Sequence, residues 1–211
     1  MSALRPQIPQ SFTAEQAQVA HDLIHDLKSQ LVSKPKRFTH SLGVAQTAYD
    51  LACLYGVDPY DAYVAGLLHD WDKAVPAPEL IGRAKTLGID LDIDYSLVEP
   101  LLHGMVAAKE LPGLYPWLSQ EILQAVAVHT TAAATMGPLD MVLFVADGIE
   151  PNRKASPGIQ KTRDLVGKVS LEDLFWDSFS GGVVYVIETN RYLWPGTIDI
   201  YNSWALRRAR S

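Results

Sequence analysis

A chain of 211 residues is long enough for one well-buried core and short for two. Its 48% hydrophobic and 20% charged residues exclude wholesale disorder, and a formal charge of −6 argues against general binding to nucleic-acid polymers or anionic membranes. A lone cysteine, Cys53, excludes an internal disulfide framework and a thiolate-rich zinc site; it is expected to pack within a helix.

The lead MSALRPQIPQSFTAEQ lacks the basic-then-apolar profile of a secretory signal. No apolar run approaches the roughly 20 residues that cross a bilayer, so a soluble cytoplasmic protein is expected. Thr13 and Gln16 have capping-box spacing, and Ala20, Leu23, Ile24, Leu27 and Leu31 form one apolar stripe of a first helix. Pro35 breaks the chain before a second helix carrying His40, Val44, Ala48, Leu51 and Tyr55, which Gly56 stops. Asp58-Pro59 opens a third in cap-then-proline order, and it runs into His69-Asp70. Pro76 and Pro78 bracket a turn ahead of a short helix ending near Gly88. Asp90, Asp92 and Asp94 alternate like a solvated loop and lack the glycine and terminal glutamate of a calcium loop.

Helices around His103, around His129 and from Pro138 to Asp147 follow, the last ended by Pro151. The tail carries one helical pattern opening at Ser170 and another after Pro195. Between them GGVVYVIET has strand-like composition, yet it continues the amphipathic run from Leu171 through Phe175 and Phe179 and reads as helix. The class is all-α: a single helical-bundle domain over residues 1–211, with about eight to ten helices.

Six residues in apolar surroundings carry the chemistry. They are His40 in RFTHSLGVA, His69 and Asp70 in GLLHDWDK, His103 in LLHGMVAA, His129 in AVAVHTT and Asp147 in FVADGIEPNR. An unpartnered His or Asp is costly to bury there. Mixed nitrogen and oxygen donors suit iron, manganese or zinc better than calcium. Neighbouring helical positions diverge by about 100°, so His69 and Asp70 reach one ion only if the third helix ends or bends at them. Lys73, one turn beyond Asp70, can project toward the same spot, and Arg37 can face the side of His40. His40, His69, Asp70 and Asp147 thus make a two-imidazole, two-carboxylate shell with room for water and substrate. A metal held there lowers the pKa of water and stabilises charge on phosphoryl oxygens. His103 and His129 can hold a second metal or touch phosphate, and six ligand-type side chains favour two metals bridged by Asp70.

Other features read as structural. His21 and His25, at i and i+4, share a polar face with Lys28 and read as solvated surface. Trp117, Trp176, Trp194 and Trp204 read as core or interface; for Trp71, beside Asp70, stacking on a base is left open as the lesser alternative. The basic end, Arg207, Arg208 and Arg210, reads as a frayed terminus.

The order His, then His-Asp, then a distant Asp resembles the hallmark of the HD-domain superfamily of metal-dependent phosphohydrolases. RFTHSLGVAQTA, AGLLHDWDK, LLHGMVAA, AVAVHTT and LDMVLFVADGIEPNR, over about residues 37–153, resemble the successive motifs of its YqeK family. That resemblance implies symmetrical hydrolysis of diadenosine tetraphosphate to two ADP with iron, as one or two ions, manganese or another divalent transition metal being the alternative. It implies His40, His69, Asp70 and Asp147 as iron ligands and His103 and His129 as second-metal or phosphate-binding residues. Asp70 and Lys73 would be catalytic, and Arg37, Lys73 and Arg153 would make charge-assisted contacts to phosphate. The implied partner is a dinucleoside polyphosphate or nucleoside diphosphate, with homo-oligomerisation left open. Rival readings are an HD hydrolase for a nucleoside triphosphate, a monophosphate or an alarmone, and a nucleotide sensor without turnover. The sequence departs from the family at Asp72, where a small residue is usual, and at Gly148, where an aromatic is usual. The stretch TTAAATM after His129 lacks a usual glycine, and the helical extension 160–211 carries no motif.

Overall fold

The computed structural model describes residues 8–210, so the reading of the lead up to Gln7 lies outside it. Ten α-helices and no strand make up the described residues. They are α1 (Ala14–Gln30), α2 (Pro35–Tyr55), α3 (Pro59–Leu68), α4 (Ala77–Thr86), α5 (Tyr95–Leu114), α6 (Gln120–Val128), α7 (Pro138–Ile149), α8 (Pro157–Leu165), α9 (Leu171–Glu188) and α10 (Pro195–Arg208).

Local chemistry sets most of the boundaries. Thr13 Oγ1 accepts from the Gln16 amide at 3.1 Å while Gln16 Oε1 accepts from the Thr13 amide at 3.0 Å, closing the expected capping box. Pro35 opens α2 rather than merely interrupting the chain, and Gly56 at φ 72° ends it in the left-handed conformation that glycine tolerates. Asp58 accepts from the amides of Tyr60 and Asp61 at the start of α3. Pro76 caps α4 and Pro78 lies within its first turn, so the pair starts a helix instead of bracketing a turn. The acidic loop ends usefully: Asp94 caps α5 through the Ser96 amide.

The glycine-containing stretch GGVVYVIE continues α9 without a break. Only α8 was not anticipated. Ser156 and Pro157 are a good start signal, but Thr162 is its single buried residue, too little for an apolar stripe.

One continuous core runs from Ala20 on α1 to Trp204 on α10. At its centre α2 lies along α3 and α7, with α6 against α7 and α3. Gly66 makes the α2–α3 crossing close: a Cβ there would stand 2.5 Å from the Ala45 Cα. Backbone cannot yield as a side-chain tip can. Gly66→Ala is therefore expected to destabilise by about 2 kcal/mol and lower Tm by roughly 4–8 °C in a thermal melt. A smaller cluster of Leu80, Ala84, Ile89, Leu102 and Val106 pins α4 to α5.

The tail is an integral wall. Leu174, Phe175 and Phe179 are buried on α9, with Phe175 against Phe144 of α7 at 5.2 Å and Trp204 of α10 at 4.8 Å. Trp204 Nε1–H donates to the Ala133 carbonyl at 3.0 Å, joining α10 to the segment behind His129. Gly148 serves packing between α7 and α9, since a Cβ there would meet Ser178 Oγ at 3.2 Å. Arg207 and Arg208 are not frayed: Arg207 lies over Trp204, and Arg208 pairs with Asp173 at 2.7 Å. Cys53 lies on the exposed face of α2 rather than packed. His21 and His25 are on the surface as expected. No helix among the described residues is long and apolar enough to cross a membrane.

Candidate metal centre

Five elements deliver the six residues to one buried volume. His40 comes from the second turn of α2 and His103 from the middle of α5, while His129 caps the C-terminal end of α6 and Asp147 stands in the last turn of α7. Helix α3 ends at Leu68, and the next residues form successive turns, with Trp71 N–H on Leu68 O and Lys73 N–H on Asp70 O. That end of the helix lets adjacent His69 and Asp70 face the same space. All four imidazoles and Asp70 are buried, and Asp147 is partly exposed.

The rings are held from behind. His69 Nδ1 faces the Gly66 carbonyl at 2.7 Å, His129 Nδ1 the Val126 carbonyl at 2.7 Å, and His103 Nδ1 the Pro100 carbonyl at 3.0 Å. His40 Nδ1 faces Glu150 Oε1 at 3.0 Å. A nitrogen opposite a carbonyl or carboxylate oxygen must donate, so in the neutral rings Nδ1 carries the proton and Nε2 presents a lone pair inward; His40, paired with two carboxylates, does so once its second proton is displaced. There, His40 Nε2 stands 2.9 Å from Asp147 Oδ1, and His69 Nε2 stands 3.6 Å from Asp70 Oδ2 and 3.8 Å from Asp147 Oδ1. His103 Nε2 lies 3.0 Å from both Asp70 Oδ1 and His129 Nε2.

Acceptors facing acceptors at such distances repel unless a proton or a metal cation lies among them. His40 Nε2 and His69 Nε2 are buried without a hydrogen-bond partner, which fits a metal ion in this space. Two triads bring ligand atoms within 4.8 Å of one another: His40, His69 and Asp147, and His69, Asp70 and His129. They overlap at His69, whose single inward lone pair can serve one ion. Asp70 is the natural link, with Oδ2 toward His40 and His69 and Oδ1 toward His103.

The cations around this shell have specific partners. Arg37 Nη1 contacts Asp70 Oδ2 at 3.1 Å, leaving its other N–H groups half-exposed. Lys73 Nζ lies 3.3 Å from His103 Nδ1, whose proton is turned to the Pro100 carbonyl, so the ammonium stands beside that ring without a hydrogen bond to it. Arg153, expected to contact phosphate, meets Asp147 Oδ1 through Nη2 at 2.5 Å and the Asp147 carbonyl through Nε. Trp71, for which stacking on a base was the lesser alternative, is buried edge-on against Tyr115 at 5.7 Å and is core. Glu150 is the residue that reading for His and Asp overlooked. It is 1% exposed, braces His40 and accepts from the Asn152 backbone amide at 2.7 Å. It stands at the C-cap of α7, three residues after Asp147, where the sequence carries no sign of its contact with His40.

Electrostatics follow from this crowding. Burial alone would raise Asp70, but His69, His103 and Lys73 hold its carboxyl well below the usual range. Asp147 is likewise held low against its burial by the neighbouring His40, Arg153 and His69. Burial, together with His103 and His69, pushes His129 down to about 3, while His69 and His103 are also lowered chiefly by burial. His40 goes the other way: burial opposes its charge, yet Asp147 and Glu150 raise it to about 9.

The signs give a pH dependence for the metal-free protein. The unfolded chain takes up protons near pH 6.5 that folded His129 refuses until about 3, so stability falls as pH drops through that window. His40 contributes stability fully present below 6.5 and lost as pH rises through about 9. With three imidazoles on the acid-labile side, Tm of the metal-free protein is expected to fall by several degrees from pH 7 to pH 5. His129→Asn should flatten that slope in the same melts.

With the geometry described, similarity to known proteins can be set beside it. A family model described as HD domain matches residues 37–152. A symmetrical bis(5'-nucleosyl)-tetraphosphatase of Halalkalibacterium halodurans is 32% identical over 175 residues, covering 82% of this chain and 90% of that one. Its namesake in Staphylococcus aureus is 34% identical over 170 residues, covering 79% and 86%. A crystal structure of a predicted HD superfamily hydrolase involved in NAD metabolism, from Clostridium acetobutylicum, superposes with a TM-score of 0.79 at 30% identity, covering 89% of this chain and 97% of that one.

Proposed function

Because this chain belongs to the HD domain family, we propose that it is a metal-dependent hydrolase cleaving diadenosine tetraphosphate symmetrically into two ADP. The observation that carries the reading is the convergence of four inward Nε2 atoms and two carboxylates from five separate elements. His40, His69, Asp70 and Asp147 would hold iron, with manganese the alternative that the same mixed donors accept. His103 and His129 would hold a second ion or phosphate oxygens. Bound there, the metal supplies Lewis-acid polarisation of phosphoryl oxygens and lowers the pKa of water.

The chain's own residues do the positioning. Lys73, beside the His103 ring, and the free N–H groups of Arg37 draw the polyphosphate against the shell and offset charge on the departing diphosphate. ADP is a leaving group of low basicity, so no side chain need protonate it. Arg153 fixes the Asp147 carboxylate, and Glu150 fixes the His40 ring. Asp70 meets both sides of the cluster and is the residue on which turnover most depends. Residues 1–211 would act as one unit, and a nucleotide substrate of this kind places its work in the cytoplasm.

The test is product identity. Purified protein supplied with iron or manganese and diadenosine tetraphosphate should yield ADP alone by anion-exchange chromatography. AMP with ATP, release of single phosphates, or no turnover would reject the reading.

A further inference from the structure

Beside the metal centre lies a cavity of about 170 Å³ lined by Lys34, Asp72, Lys73, Glu99, Pro100 and His103, together with Val75 and Leu80. That is room for several waters or one sugar ring. It shares Lys73 and His103 with the cluster just described, so it begins where the polyphosphate would lie. Asp72 is its unusual element. The residue is 1% exposed, and its Oδ2 has no hydrogen-bond partner. Oδ1 is only 3.8 Å from Arg83 Nη1, while Arg83 is committed to Glu79 at 2.5 Å and Glu110 at 3.1 Å. A buried carboxylate oxygen left bare is costly and asks for a donor from outside the protein.

The lining narrows what that donor can be. A metal ion would face the ammonium groups of Lys34 and Lys73; a bare anion would face the carboxylates of Asp72 and Glu99. A ligand carrying hydroxyl donors next to phosphate satisfies both. In a nucleoside diphosphate the group directly following the phosphates is the ribose, and the base lies further out. Vicinal sugar hydroxyls are well matched to an aspartate acceptor.

We propose that Asp72 is a specificity-determining residue that accepts the ribose hydroxyls of the nucleotide from this cavity, so that the protein selects ribonucleotides over sugars lacking them. The inference rests on the function proposed above, because it takes the phosphates to lie at the metal cluster. Its test is the affinity ratio between ADP and 2',3'-dideoxy-ADP, measured by calorimetry on manganese-loaded wild type and Asp72→Ala. Wild type should prefer ADP by about ten- to hundredfold, the effect of hydrogen bonds to a charged acceptor. In Asp72→Ala the ratio should fall close to one. A role confined to pairing with Arg83 would move both affinities together and leave the ratio unchanged, which would overturn the proposal, as would a wild-type ratio near one. Should Asp72→Ala fail to fold, the near-isosteric Asp72→Asn carries the test, with an expected ratio of a few-fold and the same overturning result. Absence of ADP from diadenosine tetraphosphate defeats the proposed function instead, and is read in a separate assay.

Discussion

Asp70→Asn is expected to lower kcat/KM for diadenosine tetraphosphate by at least about a thousandfold and to leave the purified protein nearly free of metal. The magnitude follows from several kcal/mol of transition-state charge stabilisation, at 1.36 kcal/mol per factor of ten. The two oxygens of Asp70 face opposite sides of the cluster, Oδ1 to His103 and Oδ2 to His40, His69 and Arg37. Asparagine keeps the shape and one oxygen but removes the charge that Arg37 and Lys73 balance. The fold should survive, because neither helix α3 nor the core depends on that side chain. Metal content by mass spectrometry, steady-state kinetics and circular dichroism on one preparation check the claim. A metal-loaded, active Asp70→Asn protein would remove the metal mechanism.

Glu150→Ala should weaken metal binding by about ten- to hundredfold without touching the ion directly. The His40 Nδ1 proton would lose its acceptor, and the Asn152 amide would lose the Oε2 that caps it. Glu150→Gln keeps an acceptor oxygen and should recover much of the affinity, which separates ring orientation from simple loss of packing. Gly43 offers a second route to the same residue. A Cβ at that position would fall inside contact distance of Glu150 Oε2, so Gly43→Ala should mimic Glu150→Ala. Metal titration of all three variants, with thermal melts as a check on folding, gives the ranking. Equal affinities for Glu150→Ala and wild type would show that His40 needs no brace.

How far the sequence could be read depended on what kind of neighbour each residue had. The convergence of His40, His69, Asp70, His103, His129 and Asp147 was legible because each polar side chain interrupts an apolar stretch. The end of α3 at Leu68 was legible too, since adjacent His and Asp can share an ion only if the helix stops. Glu150 was not, because a glutamate before Pro151 looks like an ordinary exposed helix end until the fold folds His40 over it. The contact of Arg153 with Asp147, six residues back, was not legible either, since it is created by the turn after α7. The sequence leaves Trp71 open between core and a platform beside the site; neighbouring residues in a turn diverge, and its ring packs inward on Tyr115. Helix α8 escaped because a helix with one buried residue leaves no periodic trace.

Three of the imidazoles lean on a carbonyl three residues earlier in their own segment: His69 on Gly66, His103 on Pro100 and His129 on Val126. Ring torsions are thereby settled as the polypeptide folds, before any guest arrives. Little side-chain freedom remains to be surrendered at that later moment, so affinity need not be eroded by ordering. Exchanging one transition ion for another would then change the chemistry performed while leaving the socket the same shape.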